Sequence, residues 1–102
     1  MEIFAERIFD DAGKQVVCRF YPPLIQPAGE YRCRWTIDWG QGERNRSTHG
    51  IDGVQALLLA MNVAHTELTE SDSYKSGSLT FLNERNLDLP GPFTFDGPQS
   101  SD

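Results

Sequence analysis

The chain has 102 residues, 38% hydrophobic and 24% charged, with a formal net charge of −6. That length suits a single domain with one modest core and leaves no room for a second. The composition excludes wholesale disorder, and no apolar run approaches the roughly 20 residues that span a bilayer. The first ten residues, MEIFAERIFD, have neither a basic start nor an apolar stretch of the secretory kind, so a soluble, cytoplasmic protein with no membrane contact is expected. Charge is unevenly placed: residues 1–50 carry seven Lys or Arg against seven Asp or Glu, residues 51–102 two against eight. An acidic total argues against a nucleic-acid partner, whose phosphates call for Lys and Arg, and suits a basic protein partner.

Residues 2–9 read as a first strand, and 10–14 (DDAGK) as a turn in which Gly13 supplies a positive φ. Residues 15–21 return as a second strand. Pro22, Pro23, Pro27 and Gly29 then rule out a continuing strand or helix, and Leu24 and Ile25 are expected to fold back onto the core edge. Residues 31–39 alternate most clearly: Tyr31, Cys33, Trp35, Ile37 and Trp39 fall on one face and Arg32, Arg34, Thr36 and Asp38 on the other. Residues 44–49 (RNRSTH) form a short polar strand, suited by its polarity to a sheet edge.

Residues 50–70 are the one stretch long and periodic enough to be a substantial helix. Asp52 is placed to cap its first turn, with Gln55 reaching back as in a capping box. A helical period puts Val54, Leu57, Leu58, Met61, Ala64, His65 and Leu68 on a core-facing side and Gln55, Asn62, Thr66 and Glu70 opposite. After a loop, residues 78–82 (SLTFL) offer a fifth short strand or extended segment, and from Asn83 onward the chain reads as coil.

These elements predict an α+β fold: a four-stranded antiparallel meander covered on one face by one long helix, with a short extended segment after it. Residues 1–92 form the domain and 93–102 a flexible tail. The expected core is Ile3, Ile8, Val16, Cys18, Phe20, Tyr31, Cys33, Trp35, Ile37, Val54, Leu57, Leu58, Met61 and Leu68.

Three elements together resemble a family of small bacterial domains of unknown function. They are the strand with Tyr31, Cys33, Trp35, Ile37 and the later Gly40; the helix start with Gly50, Asp52, Val54, Gln55, Ala56, Leu57 and Ala60; and Leu79 to Leu82 with Pro90 or Pro92 beyond. The resemblance covers roughly residues 22–92, and the helix-start string is its most specific part. It implies a domain and its limits but no catalytic residues. One departure is the ending: the family's Gly-Phe-Pro-like pattern is replaced here by LPGPF.

Catalytic and metal chemistry find little footing. Cys18 and Cys33 read as buried free thiols, although adjacent strands could set them directly opposite. His49 and His65 share no ligand spacing with them, so neither a metal nor a cofactor is implied. No nucleophile turn or phosphate-binding loop is present. The informative pattern is arginine: Arg19, Arg32 and Arg34 fall on the face away from the helix, and Arg7 with Arg44 or Arg46 could join them. Guanidinium clusters recognise carboxylates and phosphates by forked hydrogen bonds, although Glu6, Asp38 and Glu43 could balance this one.

Tyr21, Tyr31 and Trp39 could stack on a small anionic molecule at that face or in a pocket between the helix and the loop at 22–30. Leu59 and Val63, apolar on the polar side of the helix, offer a partner contact unless 78–82 or the tail covers them. The leading expectation is therefore a non-catalytic protein-binding module, an adaptor or an inhibitor of the immunity type. A small-anion-binding or enzymatic domain and a structural homodimer are the alternatives.

Overall fold

A computed structural model describes residues 2–90. Six strands, β1 (Ala5–Asp11), β2 (Lys14–Phe20), β3 (Leu24–Ile25), β4 (Tyr31–Asp38), β5 (Glu43–Gly50) and β6 (Leu79–Thr80), form one antiparallel sheet with a 17-residue helix, α1 (Gly53–Thr69), and a single turn, α2 (Asp72–Lys75). The α+β class and the meander β1-β2-β4-β5 agree with the sequence, while β3 and β6 add two short strands to the four expected. No helix among the described residues is long and apolar enough to cross a membrane. The tail expected at 93–102 lies outside the described residues.

β1 and β2 are joined by Ala12 and Gly13, both at positive φ (53° and 92°), the geometry of a tight hairpin turn matched to strand twist. Its register, Arg7 opposite Cys18 and Phe9 opposite Val16, decides which side chains point inward. Phe9 is buried on the core face, whereas Ile8, expected in the core, points the other way and is 46% exposed. Ile3, also expected in the core, precedes the strand and is exposed.

The prolines interrupt the second strand without ending its path. Phe20 pairs with Trp35, Tyr21 N donates to Arg34 O, and pairing resumes with Leu24 opposite Arg32. Three residues, 21–23, thus lie opposite two, 33 and 34, a bulge that absorbs Pro22 and Pro23. Because β3 extends the sheet, Leu24 and Ile25 remain exposed instead of folding onto the core. The same register places Cys18 opposite Ile37, four residues from Cys33 and so about 13 Å away at ~3.3 Å per residue. The two thiols do not face each other, and both are buried and free.

The cap at the start of α1 is as the sequence indicates. Asp52 Oδ1 accepts from Gln55 N at 2.8 Å, and Gln55 Oε1 accepts from Ile51 N at 2.8 Å. The buried stripe, however, is Ala56, Ala60, Ala64 and Leu68, while Val54 is 67% and Leu58 40% exposed. The helix is turned by about 80° from the expected orientation, less than one residue's ~100° step. The cause lies in the short connection from β5. Gly50 packs directly on the backbone of Gln55 and Ala56, and Thr48 Oγ1 donates to Ala56 O at 2.9 Å. Only small side chains fit so close an approach, so the alanines face the sheet and Leu57 and Met61 pack at the flank.

α1 covers β4 and β5. The inner side of β1 is covered by the segment that follows, which the sequence presents as coil. β6 pairs with Asp10 and Asp11, so 78–82 lies at the far edge of the sheet and not over Leu59 and Val63. Phe81 meets Phe9 edge to face at 5.8 Å. Arg7, which points inward, stacks its guanidinium 4.3 Å from the Phe81 ring and donates to the carbonyls of Leu87 and Asp88. Leu79 and Leu87 join Phe9 and the alanines as core residues absent from the expected list.

Candidate functional site

The face of the sheet away from α1 is left bare by every described element. Cross-strand partners share a face, so the registers assign its members. Glu6, Ile8, Val17, Arg19, Arg32, Arg34, Thr36 and Asp38 point outward together with Glu43, Asn45, Ser47 and His49 of β5. Phe4, whose N–H donates to Phe20 O, prolongs β1 and by alternation adds an aromatic ring, and Leu24 sits beside Arg32.

The predicted trio Arg19, Arg32 and Arg34 is therefore brought onto one face, but each has a different environment. Arg19 Nε donates to Glu6 Oε1 at 3.1 Å and its Nη1 to Glu43 Oε2 at 2.6 Å. It thereby lies across Thr36, which is fully buried with its hydroxyl unpartnered. A guanidinium held by two carboxylates is a tie across the sheet from β1 to β5, not an open anion receptor. Arg34 stacks 3.9 Å above the Tyr21 ring and donates to Asn45 Oδ1. Arg32 is exposed beside Leu24 and His49.

The remaining predicted residues lie elsewhere. Arg44 is opposite Ile37 and Arg46 opposite Trp35, so both take the helix side of β5. Arg46 Nε is bonded to Glu67 Oε1 at 3.2 Å. Tyr31 and Trp39 share that inner side, partly buried against the core, and cannot stack with the outer arginines. A one-residue shift of parity across the turn Trp39 to Gly42 separates the expected arrangement from the actual one. Leu59 is half-buried and Val63 exposed, on the helix flank that leads to Glu67 and β5. The apolar members of the outer face, Phe4, Ile8, Val17 and Leu24, were not anticipated. The signal was available in the period-2 pattern of 4, 6 and 8 against 5, 7 and 9.

An open depression of ≈ 480 Å³ at the end of the sheet is lined by Gly29, Glu30, His49, Gly50, Ile51 and Gln55. His49 Nε2 and Glu30 Oε2 are 3.8 Å apart there. Among the described residues no group of three or more His, Cys, Asp or Glu could hold a metal ion.

The thiols are poor nucleophiles. Burial, reinforced by the negative charge of Glu67 and partly offset by Arg7, pushes the Cys18 thiol up to about 12, and burial raises Cys33 to about 11. In the unfolded chain both would titrate near 9, so folding is favoured fully below that pH, and this contribution is lost as pH rises toward 12. Stability measured by urea denaturation is therefore expected to fall above pH 9 by up to about 1.4 kcal/mol per pH unit for each thiol. Cys18→Ala should flatten that slope; an unchanged slope would refute the assignment.

No curated protein and no solved structure matches the chain. A family model does match, over residues 5–91, with the description Domain of unknown function (DUF6968). The match spans β1 through the segment packed on Arg7, beginning earlier than the resemblance at residues 22–92 suggested. With most of its length matched, the chain belongs to that family of domains of unknown function.

Proposed function

We propose that the chain is a non-catalytic protein-binding module that engages its partner through the bare outer face of the sheet. The observation that supports this reading is the composition of that face. Phe4, Ile8 and Leu24 are all about half exposed there, interleaved with Arg32, Arg34 and His49 at one end and Glu6, Asp38 and Glu43 toward the other. Protein interfaces favour such a mixture of aromatic and aliphatic anchors, arginine, and a charged rim. The partner it suits presents carboxylates to Arg32 and basic groups to the acidic end, with an apolar surface between.

The test is comparative capture by the whole domain from its own cells. A protein retained by the wild-type domain and lost from both Ile8→Lys and Arg32→Glu is the expected result. Both positions are solvent-exposed, so the variants keep the fold. Retention of the same proteins by all three would overturn the reading.

The exposed guanidinium of Arg32 beside His49 favours a second reading, a small anionic ligand at that end of the face. A thermal shift with phosphate or citrate that is abolished by Arg32→Ala would support it, and no shift with either anion would remove it.

A further inference from the structure

We propose that the chain forms a two-fold dimer in which β5 pairs antiparallel with β5 of a second copy, in a register centred on Ser47. β5 is the edge of the sheet beyond β4, eight residues long, without proline or bulge. Among the described residues, none pairs its backbone along the far side of β5. An unpaired edge of this length is a ready template for another strand.

The charges on β5 select both the occupant and the register. In a symmetric antiparallel pair, opposite residues lie on the same face, so the axis passes through a residue position. Centring on Asn45 sets Arg44 against the partner's Arg46, and centring on Arg46 sets that residue against its own copy. Both oppose like charges directly. Centring on Thr48 pairs only residues 46–50. Centring on Ser47 pairs residues 44–50 and opposes no like charges. Arg44 then faces the partner's Gly50, the last residue of β5, with the partner's Asp52 two residues further along the chain at the start of α1. Arg44 is exposed on the helix side of the strand, the side on which Asp52 caps α1. The symmetry makes this opposite-charge juxtaposition twice. Arg46, one residue from the axis, is already engaged by Glu67.

The helix flank above the edge continues the same surface. Thr48, one residue from the axis, is bonded to Ala56. Leu59 lies less than one turn beyond Ala56, and Leu59, Val63 and Glu67 follow at four-residue spacing on one flank, with Glu67 reaching β5. Two-fold pairing of the edges brings Leu59 and Val63 of both copies together over a continuous sheet. That contact covers the apolar pair, which β6 at the opposite edge of the sheet does not reach. It leaves the outer face of the sheet free, so the dimer stands independently of the protein-binding reading.

Sedimentation of the whole chain across a concentration series is expected to show the mass of two chains. Val63→Lys, at an exposed position, should weaken the dimer at least about tenfold while circular dichroism remains native. Mild oxidation provides an arm that needs no apolar change. Ser47→Cys should cross-link to itself, whereas Asn45→Cys, placed opposite the partner's His49, should not. Cys18 and Cys33 are buried and do not compete. A monomer at every concentration would overturn the proposal. Equal cross-linking at positions 45 and 47 would do the same for the register.

Discussion

Replacing Gly50 with alanine is expected to destabilise the domain by about 2–4 kcal/mol, a large share of a small domain's total stability. The added Cβ would stand 2.5 Å from Ala56 N and 3.0 Å from both Ala56 Cα and Gln55 C. All three are backbone atoms, so no side-chain rotation relieves the overlap, and α1 must lift from β5. Lifting it loosens the Thr48 bond to Ala56 O and opens the space beneath Ala60 and Ala64. Gly53→Ala is the control. Its Cβ would meet Pro23 at 3.5 Å and the Tyr31 ring at 3.9 Å, ordinary contacts, and alanine suits the first turn of a helix better than glycine. Urea denaturation should therefore find the first variant strongly destabilised and the second neutral or slightly stabilised. Similar midpoints for both would disprove close approach as the reason for glycine at position 50.

Trp35→Ala should cost about 3–5 kcal/mol, enough to leave much of the protein unfolded. Trp35 is the largest buried side chain of the core, on β4 beneath the helix, between Phe20 and Arg46 on the neighbouring strands. Trp35→Phe separates two effects. It removes some packing volume, but it also removes an indole N–H that is buried without an acceptor. Deleting an unpaired buried donor relieves a desolvation penalty of about 1–3 kcal/mol, which offsets most of the lost packing. Phenylalanine is thus expected to cost less than about 1.5 kcal/mol by calorimetry or denaturant titration. A loss as large as that of the alanine variant would mean that the N–H is satisfied in solution.

What the sequence made legible was whatever local chemistry determines. The alternation from Tyr31 to Trp39, the turn before Lys14 and the Asp52 cap depend on neighbours a few residues away, and each took the expected form. What it concealed was set at a distance. A hydrophobic pattern weights bulk, so it pointed to Val54 and Leu58; the orientation of α1 was instead decided by how closely Gly50 approaches it, which favours alanine. The faces taken by Arg44 and Arg46 depend on a parity counted through a turn, where one residue reverses every side chain. The segment beyond Leu79 has no local period because its partners are Arg7 and Phe9, some seventy to eighty residues earlier. The arginine face was legible in membership but not in chemistry, since only the register reveals that Glu6 and Glu43 already claim Arg19.

The clasp between Arg7 and the carbonyls of Leu87 and Asp88 has a consequence for biosynthesis. A nascent polypeptide emerges from the ribosome N-terminus first, so β1 and β2 are translated long before the residues that roof them. Until Leu79 to Leu87 have been made, the ring of Phe9 has water where Phe81 will later stand. Arrested translation products ending before Leu79 should accordingly bind the dye ANS and be digested rapidly by protease, and extension through Leu89 should abolish both behaviours.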